Sequence, residues 1–211
     1  MNSTPQRDLH LIGWLLMVGA VIFWIGAVSP PYKQWTSPLK EYLEIVGSNR
    51  WGWYWIHVCF MIATILSIVA MRALGAAVQQ QTGERFFSEL GYSGFLAVSI
   101  LWMASIAFRV TVDYEAGVIL NESGTMPEWI TPLHHWSGLM LAVFMVVGYL
   151  AEAMIGRSLM GSTLVPSWVA TTSFYFGLAG AVGYCVRFPL FDPPLMMHVV
   201  PFLIGYHLVK A

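Results

Sequence analysis

Six runs of about seventeen to twenty-five largely apolar residues divide this chain, at 9–28, 51–74, 90–109, 131–155, 167–186 and 195–211. A helix needs about twenty such residues to cross the hydrocarbon of a bilayer. The pattern therefore predicts an all-α integral membrane protein, a six-helix bundle in one transmembrane domain. An even number of crossings places both termini on the same face. Composition agrees: hydrophobic residues make up 57% of the 211 and charged ones 10%, far from the balance of a soluble domain. With 10 basic and 11 acidic residues there is no cationic footprint for nucleic acid.

Between the runs the connections have distinct characters. The first run ends in Ala27-Val28-Ser29, which is similar to a signal-peptidase site, but its length and its two tryptophans, Trp14 and Trp24, predict a retained span. A polar loop over 29–50 follows, with Pro30, Pro31 and Pro38, and within it 39–46 predicts a short helix at the interface. The second span opens on WGWYW at 51–55, the amphipathic rings that settle at headgroup level. A polar connection is expected over 75–89. A second long loop is expected over 110–129, which carries Asp113, Glu115, Glu122 and Glu128. Thr131-Pro132 opens the fourth span. The fifth holds Gly177, Ala179, Gly180, Ala181 and Gly183, small residues that let helix backbones approach closely. A tight turn at 187–194 precedes the last run, which is barely long enough to span.

Lysine and arginine do not orient this arrangement. Arg7, Arg72, Arg85, Arg157 and Lys210 fall on the face of the termini, while Lys33, Lys40, Arg50, Arg109 and Arg187 fall on the opposite, long-loop face. The expected location is a membrane of the bacterial cytoplasmic type.

Histidine placement is the main chemical signal. His57, the adjacent His134 and His135, and His198 each lie six or seven residues after the last polar residue before an even-numbered span, Arg50, Glu128 and Asp192 respectively. At 1.5 Å per residue that is roughly 10 Å below each helix start, a single stratum of the membrane. Ionisable groups at that depth mark candidate sites. Arg50, Arg109 and Arg187 sit at span boundaries on the same face, and a guanidinium fork suits carboxylate or phosphate. Imidazoles in an apolar layer below arginines form the set a b-type haem needs, with two axial ligands and cations for the propionates. The expected function is electron transfer, linked to quinol or to a partner subunit of a respiratory or other redox complex.

Two alternatives use the same residues. Three of the histidines could surround zinc or copper with an open position for water. Alternatively the chain is a non-catalytic subunit of a larger membrane complex, its histidines tipped into water and its boundary arginines snorkelling to headgroups. Cys59 and Cys185 read as buried inert thiols, and the methionines as packing, with Met61, Met196 and Met197 kept as possible axial or copper ligands. Glu152, inside the fourth span, is expected to reach water or to pair with Arg72 or Arg157. No HExxH, GxSxG, Walker or CxxCH motif is present.

Overall fold

A computed structural model describes residues 6–29 and 37–210. Pro30, Pro31, Lys33 and Ala211 lie outside the described residues. Among the described residues the chain is all-helical, without a strand. The helices are α1 (Gln6–Val28), α2 (Leu39–Ser48), α3 (Arg50–Thr82), α4 (Phe86–Phe108), α5 (Tyr114–Ser123), α6 (Ile130–Leu159), α7 (Ser167–Cys185) and α8 (Val199–Lys210). A π-helical turn, Arg109–Asp113, joins α4 to α5, and a 3-10 turn, Pro194–His198, leads into α8. Among the described residues four segments are long and apolar enough to cross a membrane: α1, α3, the continuous rod Phe86–Ser123 and α6.

Local chemistry explains the boundaries. The Asn49 side chain caps α3, accepting from the Gly52 N–H at 3.0 Å. Gly83 and Gly124 end α3 and α5 in the left-handed conformation, each with φ of 73°. Two sequence expectations are corrected here. The polar connection over 75–89 is mostly helix, because α3 continues through the glutamines to Thr82 and stops only at Gly83. The expected loop over 110–129 is helical as far as Ser123. In both places the apolar run ends before the helix does, since charge stops a membrane span but glycine or proline is needed to stop a helix. α6 begins one residue before Thr131, with Pro132 in its first turn, where its missing N–H would be unpaired anyway.

The long elements close into a ring in which each packs on its neighbours in sequence, α1 on α3, α3 on α4, α4 on α6, α6 on α7, α7 on α8, and α8 back on α1. Helices approach to backbone contact where glycine permits. A side chain at Gly177 would strike the Tyr149 carbonyl and the Ala153 backbone of α6, and one at Gly13 would strike the Gly205 carbonyl of α8. The ring buries one core that includes Phe23, Phe60, Trp102, Phe144 and Tyr149. Its outer surface carries exposed Ile65, Ile100, Leu139 and Val182. A second, separate core lies at one end, where α2 packs on α5, and is built from Tyr42, Leu43, Val46, Trp53, Ala116, Leu120 and Ile130.

Candidate functional site

Between the two cores lies a set of buried polar side chains centred on the π-turn. The wider turn brings Arg109 and Asp113, four residues apart, both to the inside: Arg109 is 5% exposed and Asp113 fully buried. Helical π-turns are rare and concentrate at functional sites. Here the turn also presents the Arg109 carbonyl to the Trp53 indole, whose Nε1 donates to it at 3.0 Å.

Two elements converge on Asp113. Tyr42, from the buried face of α2, donates its hydroxyl to Oδ2 at 2.5 Å. His134, from the first turns of α6, places Nδ1 3.4 Å from Oδ1, a long contact of a partly exposed ring. The rings of Tyr42 and His134 lie 5.1 Å apart, and Tyr42 meets Trp53 edge-on at 5.8 Å. Burial pushes the Tyr42 phenol pKa well above its usual value; the Arg109 guanidinium pulls it down and Asp113 pushes it up again.

His57 joins this network from α3. Its Nδ1 lies 2.8 Å from the Trp53 carbonyl, and since a carbonyl only accepts, Nδ1 carries the proton. Nε2 therefore holds the lone pair, and it is buried with no hydrogen-bond partner. The ring packs edge-on against Trp53 at 4.2 Å and against Phe60 at 5.9 Å.

The remaining sequence candidates lie elsewhere. His198 is buried in the 3-10 turn, stacked on Phe23 at 3.8 Å, with Nδ1 unpartnered. Phe23 in turn meets Phe60 at 4.6 Å, so an aromatic pair separates the imidazoles of His198 and His57. His135 is exposed on the outside of α6. Arg50 is exposed and lies over the rings of Tyr54 and Tyr114. Arg187 reaches Asp192 at 3.5 Å and lies over Tyr184. The expected stratum of four histidines is thus divided: His57, His134 and Arg109 belong to one network, His198 and Arg187 to another region, and His135 to neither.

Among the described residues no three histidine, cysteine, aspartate or glutamate side chains are grouped to hold a metal ion, so a three-histidine zinc or copper centre finds no such cluster there. Cys59 and Cys185 are both free; Cys59 is buried and Cys185 exposed. Glu152 departs from expectation. It is 1% exposed and neither oxygen has a hydrogen-bond partner. Arg72 pairs instead with Glu89 at 3.1 Å, and Arg157 lies over the ring of Phe87. α6 turns Glu152 inward among its buried face, away from both arginines.

Sequence reasoning missed Tyr42, Trp53 and Asp113 as members of this site. One signal for Asp113 was present: it follows Arg109 by four residues, one helical turn, at the end of an apolar run. Tyr42 shares with Leu43 and Val46 the buried face of a short amphipathic helix.

No protein-family model matches the chain, and no curated protein or solved structure matches it.

Proposed function

We propose that the chain is a six-span membrane protein that carries a b-type haem at the network around the π-turn and transfers electrons through it. The spans are α1, α3, α4, α6, α7 and the 3-10 turn with α8, which puts both termini on one face and the α2–α5 pair on the other. The observation that carries this reading is His57. Its proton is committed to the Trp53 carbonyl, and its second nitrogen is a buried acceptor with nothing to bind. Such an orphan costs about 1–3 kcal/mol, which ligation to iron removes.

The donor set fits that role. His134, from α6, has its Nδ1 beside Asp113, the carboxylate–histidine pairing that fixes the ring and tautomer of a metal-bound imidazole. Arg109 puts a guanidinium in the same network, suited to a propionate. When bound, the haem supplies one-electron chemistry, its potential set by axial ligands and their surroundings. The residues of this chain orient the two imidazoles: the Trp53 carbonyl holds the buried His57, Asp113 holds the partly exposed His134, and α2 covers the network. The imidazoles that would hold the iron are therefore those of His57 and His134, two of the four that shared depth suggested. The expected partners are lipid and a redox subunit, in a membrane of the bacterial cytoplasmic type.

Absorption spectra of the purified protein, oxidised and then reduced, with iron analysis, test this. The expected result is a Soret band and about one iron per chain, lost in His57→Ala and in His134→Ala and kept in His135→Ala. Protein with neither porphyrin absorbance nor iron overturns the reading. Stoichiometric zinc or copper without porphyrin transfers the site to a metal enzyme. A quadruple histidine variant that assembles and works unchanged leaves a structural subunit.

A further inference from the structure

A carboxyl inside the ring of helices stands without a partner. Glu152 lies in α6 seven residues before its last residue, Leu159, which is about 10 Å inside that end of the helix. It is 1% exposed, and neither of its oxygens has a hydrogen-bond partner. Leu141, Met145, Gly148 and Glu152 follow one another at four, three and four residues, so they share one face of α6. That face is turned into the ring, since a side chain at Gly148 would strike Met197 of the 3-10 turn. Backbone contacts seal the helix on both sides of the carboxyl. A side chain at Gly91 of α4 would strike the Ala151 carbonyl, and one at Gly177 of α7 would strike the Ala153 backbone.

The charged and titratable groups of the elements packed on α6 are engaged elsewhere. Arg72 of α3 pairs with Glu89 of α4 at 3.1 Å, and Arg85 is exposed. On α6 itself Arg157 is exposed and lies over Phe87, while Tyr149 aims its hydroxyl at the Phe191 carbonyl at 3.4 Å. His198, next to Met197, stacks on Phe23. α7 brings glycines and Ser173, whose hydroxyl donates to the Val169 carbonyl at 2.8 Å. The π-turn with Arg109 and Asp113 meets α6 at His134, about 27 Å along the helix.

A carboxylate with neither cation nor donor is among the costliest groups to bury, and a group so placed takes up a proton instead. Packing does not account for its presence. Met145, two turns earlier on the same face, is fully buried, and a methionine at 152 would fill a similar space with no carboxyl to satisfy. Ionisable residues kept inside spanning helices mark ion and proton paths. We propose that Glu152 is a proton-binding site, a carboxyl held as the neutral acid at neutral pH that exchanges its proton with water beyond the nearer end of the ring. Its ligand is the proton itself, and the proposal stands whatever the network around the π-turn holds.

The test treats the full chain in nanodiscs at neutral pH with dicyclohexylcarbodiimide, an apolar reagent for protonated carboxyls. The acid passes its proton to one nitrogen of the reagent and bonds its oxygen to the central carbon; the acyl group then migrates to nitrogen, so the whole reagent is added and nothing leaves. Peptide mapping should place the label at Glu152, at least about a hundredfold faster than at an exposed carboxyl such as Glu115, which is almost fully ionised at neutral pH. Infrared spectra should show a protonated-carboxyl C=O band, absent from Glu152→Gln, that shifts in heavy water while the α6 amides are still unexchanged. Mapping and the band's exchange rate in the wild type decide the matter even if Glu152→Gln fails to fold. An unlabelled Glu152 overturns the proposal. So does a band that exchanges only together with the α6 amides, which would make Glu152 a buried acid reached when the fold opens. Labelling that sodium suppresses at constant pH also overturns it, since the site then takes a metal cation in place of a proton.

Discussion

Tyr42 carries more of the site than any sequence signal announced. Its hydroxyl donates at 2.5 Å to Asp113, a carboxyl with no exposure to water. Tyr42→Phe leaves Asp113 without that donor, and should lower stability by about 1–3 kcal/mol in thermal or denaturant unfolding. The loss should depend on pH. Burial, the larger cause, holds the phenol pKa well above 10 in the native state, while an unfolded tyrosine releases its proton near pH 10. A raised native pKa gives stability that is complete below the unfolded value and is lost as pH climbs toward the native one. The gap between wild type and Tyr42→Phe should therefore narrow above about pH 10, and a gap constant from pH 8 to 11 would place the phenol in water. The same reasoning shows why His57 was legible and Tyr42 was not. An imidazole within an apolar run is conspicuous by itself, whereas Tyr42 gains its meaning only from a residue 71 positions away.

At the scale of elements, the decisive contact is between two glycines. α2 lies across α5 with Gly47 against Gly117: a side chain at Gly117 would strike the Leu43 carbonyl and the Gly47 backbone, and one at Gly47 would strike Gly117. No flexible side chain is available to move aside. Gly117→Ala should therefore push α2 off α5, at about 1–3 kcal/mol, and should carry Tyr42 away from Asp113. Limited proteolysis should then cut within 39–48 at protease levels that leave the wild type intact; equal resistance would show that the crossing tolerates a methyl group. The helix at 39–48 was itself legible from the apolar Tyr42, Leu43 and Val46, and the long apolar rods from run length. The turns of helix beyond the apolar runs, to Thr82 and to Ser123, were not legible, because hydropathy reports where an apolar run ends and not where its hydrogen bonding ends. The π-turn left no mark at all in a pattern read one residue at a time; the spacing of Arg109 and Asp113 put both on one face without saying which way that face turned.

For the molecule as a whole, rod length and core number tell the same story. At 1.5 Å per residue α3 extends about 50 Å and the rod 86–123 about 57 Å, against roughly 30 Å of hydrocarbon. Both are longer than a bilayer's hydrocarbon is thick, and α5, with Glu115, Asn121 and Glu122, is the part of the second rod that leaves the apolar ring. There it forms, with α2, a cap holding its own small core, separate from the one inside the ring. Two cores joined through one polar layer should open in two steps, the smaller first. Leu43 is fully buried in the cap, and Leu43→Ala should remove about 2–5 kcal/mol from it. Amide exchange in 39–48 and 114–123 should then accelerate by orders of magnitude, while amides of α4 and α6 inside the ring keep their wild-type protection. Acceleration shared equally by cap and ring would mean that the molecule opens as a single unit. In the two-step case the cap decides when water reaches Asp113, so its stability governs access to the buried part of the network beneath it, whichever group that network holds.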